Sequence, residues 1–205
     1  MFTTLKRNLS TLLILALFGA LLAACIPLAT PAPTPAEAEV EAEEQAVYVA
    51  VFEELFGEPQ MYVLMSETSP GIEGEEGLDS ILEYILPQMT GLDEETATSF
   101  QVRNEAAYPL RADMDLGLPY ILLTRDEANQ IFAINTDGWD VFYNRYPNSP
   151  GMTTVSRVGF NADFTQALVY VGTQSHWLAG AGYYLLLEKS FGTWQVEQQV
   201  MAWIS

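Results

Sequence analysis

His176 is the single histidine of this 205-residue chain and Cys25 its single cysteine. These two counts bound the available chemistry. A nucleophilic triad needs a base held beside the nucleophile. Ser175 precedes His176, but neighbours on an extended segment point to opposite sides, which argues against that pair. Ser156, His176 and Asp163 could meet across neighbouring strands, though no Gly-x-Ser-x-Gly elbow is present. A histidine-based metal site needs more than one histidine, and a structural zinc site more than one thiolate. Glu73, Glu75, Glu76 and Asp79, with Gly74 and Gly77, have the ingredients of a calcium loop but not the EF-hand order, and read as a solvated loop. Gly180-Ala181-Gly182 lacks the lysine and helix pattern of a phosphate cradle. Asp137 and Asp140 flank Trp139, the arrangement of carboxylates beside a sugar-stacking ring that a glycoside hydrolase would use. Acidic first-turn positions of a helix explain them equally well. No metal and no cofactor are expected.

The most suggestive constellation is Arg157 with His176 and Trp177. Arg157 falls in an otherwise apolar strand, where a guanidinium requires a partner. An internal carboxylate such as Asp163 would serve, as would an anionic ligand or a partner protein. Trp177, large and placed on a loop, could anchor a partner or pack over the end of a sheet.

Charge narrows the partners further. The formal net charge is −19. Lys6 and Arg7 lie near the start, and all 27 acidic residues lie beyond Cys25, so the chain after residue 24 carries six basic residues and a net charge of −21. Such a charge repels nucleic acid and disfavours electrostatic adsorption to anionic lipid. Residues 37–105 hold most of the acid, which reads as a solvated surface.

Behind Lys6 and Arg7, Leu9 to Ala24 carry no charge. That length is short for a membrane span and typical of a cleaved export signal. It ends Leu22-Ala23-Ala24-Cys25, which resembles the lipobox of bacterial lipoproteins: an aliphatic residue, two small residues, then the cysteine. The resemblance implies a signal peptide over residues 1–24, cleavage before Cys25 and lipid on its thiol, so that the membrane is reached covalently and thiol catalysis is excluded. Residues 26–36 alternate proline with small residues and predict an extended spacer. A tether over 25–46 and a single domain over 47–205 are expected.

Residues 37–56 are rich in Ala and Glu, with Val40, Val47, Val51 and Leu55 at helical spacing. A strand follows at Met61–Thr68, then helices after Asp79 and Asp93, and a brief strand at Pro119–Leu123. Thr124 and Glu127 have capping-box spacing at the start of a short helix. Trp139, Phe142, Tyr143 and Tyr146 repeat at helical spacing and read as core. The remainder predicts an antiparallel meander over 152–160, 165–173, 182–189 and 193–203, with a flexible junction at Leu178–Gly182. Helices first and sheet afterwards define an α+β fold: N-terminal helices packed on a C-terminal meander of about four to five strands.

The C-terminal half also resembles a group of uncharacterised exported bacterial proteins, through Trp139 to Tyr146-Pro147, Ser156 to Asn161, Ala167 to Val171, Gly180 to Gly182, Gly192-Thr193-Trp194 and Trp203-Ile204-Ser205. The resemblance brings no activity. It implies two cysteines near the glycine-rich junction, where Ser175 and Ala179 stand here. The expectation is a lipid-anchored extracytoplasmic protein of the bacterial cell envelope, a binding or accessory domain with a possible envelope protein partner. The alternative is an envelope hydrolase using Asp/Glu or Ser with His176.

Overall fold

A computed structural model describes residues 35–56, 61–71, 78–133 and 138–205, which belong to one compact unit, Pro35–Ser205. Residues 1–34 with Cys25, residues 72–77 with the candidate calcium-binding glutamates, and Asp137 lie outside the described residues. Among the described residues no helix is long and apolar enough to cross a membrane.

The fold is α+β, with most helices N-terminal to an antiparallel meander. Helix α1 spans Pro35–Phe56. Strand β1 (Tyr62–Met65) follows, then α2 (Leu78–Ile85), a 3-10 turn (Leu86–Gln88) and α3 (Glu94–Arg103). Strand β2 (Tyr120–Leu123) leads to α4 (Arg125–Phe132) and α5 (Gly138–Arg145). Strands β3 (Met152–Val155), β4 (Gly159–Phe160), β5 (Gln166–His176), β6 (Ala179–Ser190) and β7 (Thr193–Ile204) complete the chain. The sheet runs β2-β1-β3-β5-β6-β7, with β4 also paired to β5. The β5-β6-β7 meander is antiparallel, but β1 joins both β2 and β3 in parallel, so the sheet is mixed and has seven strands.

Strand periodicity divides the core between the two faces. Val47, Val51 and Phe52 of α1 pack on one face, against Leu64, Val169, Leu185 and Trp194. Ile85 and Phe100 pack on the other, against Leu168, Tyr184 and Leu186. Ala128, Ile131, Trp139 and Phe142 cover Val63 and Leu123 at the β1–β2 end. The Thr124–Glu127 capping box forms, each partner satisfying the other's backbone N–H. The aromatic stripe of α5 is core, with Trp139, Phe142 and Tyr146 buried.

Three local expectations change. The helix expected over 37–56 forms and begins at Pro35, so residues 35–46, assigned to the tether, belong to the compact unit, with Glu41, Glu43 and Glu44 bound to cations. The strand expected at 152–160 divides into β3 and β4. The junction at Leu178–Gly182 is mostly strand: only Trp177 and Leu178 turn, and β6 begins at Ala179. Gly182 is needed there for space, since a Cβ would come within 2.2 Å of the Trp203 Nε1 that donates to the Tyr170 hydroxyl. Ala179 pairs with His176, and Ser175 falls at the register shift between Gln174 and His176, its hydroxyl donating to the Ala179 carbonyl at 3.1 Å.

Candidate functional site

Arg157 sits between β3 and β4, where the ladder with β5 is interrupted. The Ser156 hydroxyl accepts from the Tyr170 N–H at 2.8 Å and donates to the Arg157 carbonyl. The Asn104 side chain then stands in for a neighbouring strand, accepting from the Arg157 N–H at 2.9 Å and donating to its carbonyl at 3.0 Å. The next N–H, on Val158, donates to Glu44 Oε1 at 2.8 Å. Side chains from α3 and α1 thus complete what the sheet leaves open, which answers the demand that buried amides be paired.

The same Glu44 carboxylate receives Arg157 Nε at 2.8 and 3.1 Å, and an Arg103 Nη2 at 3.2 Å. Glu44 itself is buried. Tyr48, one turn along α1, donates to the Ser156 carbonyl at 2.7 Å, and the Arg157 guanidinium lies 3.9 Å over the Tyr108 ring. Burial works against the charge on Arg157, but Glu44 overrides it and raises the pKa above the usual arginine value. Arg157 therefore has an internal carboxylate, but it is Glu44. Asp163 is exposed in the β4–β5 turn.

Glu44 is one of a row. Glu41 pairs with Arg111 at 3.0 Å, and Glu43 takes Lys189 and the Trp194 Nε1–H. Four of the six basic residues beyond Cys25 are thus bound to α1 carboxylates. This part of the acidic run does not act as a solvated surface. Two guanidinium groups share Glu44, so that cluster holds one positive charge in excess inside an acidic protein. Arg103 Nε is buried with no acceptor among the described residues.

The hollow beside Arg157 has room for about one water, roughly 20 Å³. Arg103 instead borders an open groove of about 760 Å³. One wall is a face of α3, where Glu94, Glu95, Thr98, Val102 and Arg103 recur at helical spacing. The other wall is the β4–β5 turn with Phe160 and Phe164, and Val40 of α1 contributes beside it. Phe164 holds φ at +50°, a region costly for a bulky side chain. A face of α3 packs closely on β4 beneath: a Cβ on Gly159 would come within 2.4 Å of the Phe100 nitrogen. Sequence reasoning missed this groove. Its one available signal was Arg103, a cation in the acid-rich segment.

His176 and Trp177 lie elsewhere, at the β5–β6 turn. His176 stacks on Trp139 at 6.4 Å, and Trp177 meets Phe132 and Trp139 edge-on. Trp177 is 44% exposed and Leu178 is 83% exposed. Trp139 Nε1 is buried without an acceptor among the described residues. Arg157 shares none of these partners. Ser156 is wholly buried and lies opposite Tyr170. His176 is six residues further along β5, about 20 Å at the rise of an extended strand. Asp163 lies beyond the other end of β5. Asp140 is exposed at the start of α5.

These features define a class: an α+β domain with a helix clasped to a mixed sheet by ion pairs, and an open apolar groove bordered by a guanidinium. No protein-family model, curated protein or solved structure matches the chain.

Proposed function

We propose that this chain is a lipid-anchored extracytoplasmic protein whose domain binds a ligand or partner in the bacterial cell envelope and performs no catalysis of its own. The anchor rests on the charge-free run that ends at Leu22-Ala23-Ala24-Cys25. The observation that carries the binding reading is the groove beside Arg103: a concave apolar surface of about 760 Å³ with charged groups at its margin, within the size range of ligand sites. The non-catalytic reading is supported by the separation of Ser156, His176 and Asp163, and by the complete burial of the Ser156 hydroxyl within the strand hydrogen bonding.

Mass spectrometry of the protein isolated from membranes tests the anchor. The expected N-terminus is Cys25 carrying a diacylglyceryl group. An intact Met1 or a free thiol at residue 25 would overturn it.

A further inference from the structure

We infer that the groove along α3 takes a short, extended apolar peptide that carries a positive charge at one end and a negative charge at the other. The inference rests on the binding reading above and names its ligand class.

The argument begins with the charges. Arg103 is at the last turn of α3 and shares Glu44 with Arg157, so the cluster still lacks one negative charge. An incoming carboxylate at the exposed edge of the Arg103 guanidinium, whose side chain is 22% exposed, supplies that charge. Glu94 and Glu95 border the same groove in the first turn, are exposed, and pair with no cation among the described residues. Between Glu95 and Arg103 the helix advances eight residues, about 12 Å. Val102, 59% exposed, with Val40, Phe160 and Phe164 gives the interval most of its apolar surface, beside the hydroxyls of Thr98 and Ser99.

A ligand that satisfies this pattern has a cation and an anion about 12 Å apart, joined by an apolar body. Four extended residues span about 13 Å. A tetrapeptide with free termini and aliphatic side chains therefore fits both ends at once. A fatty acid meets Arg103 but places hydrocarbon against two carboxylates. A polycation suits the glutamates and is repelled by Arg103.

The test is a titration of the full chain in mild detergent with the peptide Ala-Val-Leu-Leu, followed by the methyl resonances of Val40 and Val102. The unblocked peptide is expected to shift both. Acetylating its amine or amidating its carboxyl should each weaken binding about tenfold, the scale of one charge-assisted contact. R103Q should abolish the difference between free and amidated carboxyl ends. Joint replacement by E94Q and E95Q should abolish the difference between free and acetylated amines. V102E lies outside the ion cluster and should remove binding while leaving the melting temperature unchanged. Equal binding of blocked and unblocked peptides, or no methyl shift at millimolar peptide, would overturn the inference. Shifts confined to the Trp177 hairpin would overturn the choice of site while sparing the broader binding reading. A free Cys25 thiol would refute anchorage without altering the titration.

Discussion

Replacing Glu44 by alanine removes the acceptor shared by Arg157, Arg103 and the Val158 N–H. The side chains of Glu44, Arg157 and Arg103 are only 9%, 13% and 22% exposed, so water replaces the lost carboxylate poorly. Orphaning a buried charge of this kind costs about 3–5 kcal/mol. Against a typical domain stability of about 5–15 kcal/mol, that is a large fraction. With a urea dependence of about 2 kcal/mol per molar, the unfolding midpoint of the full chain in mild detergent should fall by about 2 M. Glu44→Gln keeps an oxygen for Val158 and loses the charge, so it should cost about half as much. Combining Glu44→Ala with Arg157→Ala removes both members of the pair, and the double variant should be less destabilised than the sum of the singles by about 1–3 kcal/mol. The assay is urea unfolding followed by circular dichroism. A Glu44→Ala midpoint within experimental scatter of wild type, or strictly additive single substitutions, would refute the view that this carboxylate clasps α1 to the sheet.

Phe191 is fully exposed with φ at +50° and is followed by Gly192 at +83°, a turn geometry that asparagine adopts far more readily than phenylalanine. Phe191→Asn should therefore raise stability by about 0.5–1 kcal/mol and the melting temperature by about 1–4 °C, measured by thermal melting; an unchanged or lower melting temperature contradicts the account. Alkaline titration gives a further check. Burial holds the Tyr48 phenol well above its usual range, with Glu44 adding to the effect, and burial with Tyr170 raises Tyr184 likewise. The folded chain keeps these protons at pH values where the unfolded chain has lost them, so stability is complete below about pH 10 and falls above it, by about 1.4 kcal/mol per pH unit for each group. Tyr48→Phe should reduce that slope by about one proton's worth in urea unfolding between pH 10 and 11.5; an unaltered slope would show that Tyr48 titrates normally.

The legible parts of the fold were local. The capping box at Thr124 and Glu127 is complete within four residues, and the stripe Trp139, Phe142, Tyr146 needs only helical periodicity, so both read directly from spacing. The meander was equally plain, because alternating apolar residues between short turns admit few other arrangements. The parallel placement of β1 between β2 and β3 was not legible, since it joins segments about 60 and 90 residues apart. The helix expected over 37–56 begins at Pro35, so its existence was legible, but the boundary between tether and domain was not. Pro35 to Ala46 is rich in Ala and Glu, and nothing in that composition reveals that Glu41, Glu43 and Glu44 each meet a cation more than 55 residues away.

The candidate site divides in the same way. That Arg157 required a partner followed from a guanidinium in apolar surroundings. Which carboxylate it would meet depended on α1 lying across the gap between β3 and β4. The grouping of Arg157 with His176 and Trp177 rested on their common half of the chain, whereas the length of β5 sets them far apart. The sequence by itself determined the charge-free N-terminal run with its lone cysteine, the acidic balance, the α+β order and the need for a buried counter-charge, because each depends on residue type and short spacing. Only tertiary structure decided that Glu44 neutralises Arg157, that Arg103 is left with charge to spare, and that an apolar groove opens beside it, because those outcomes depend on distances between segments that no local pattern encodes.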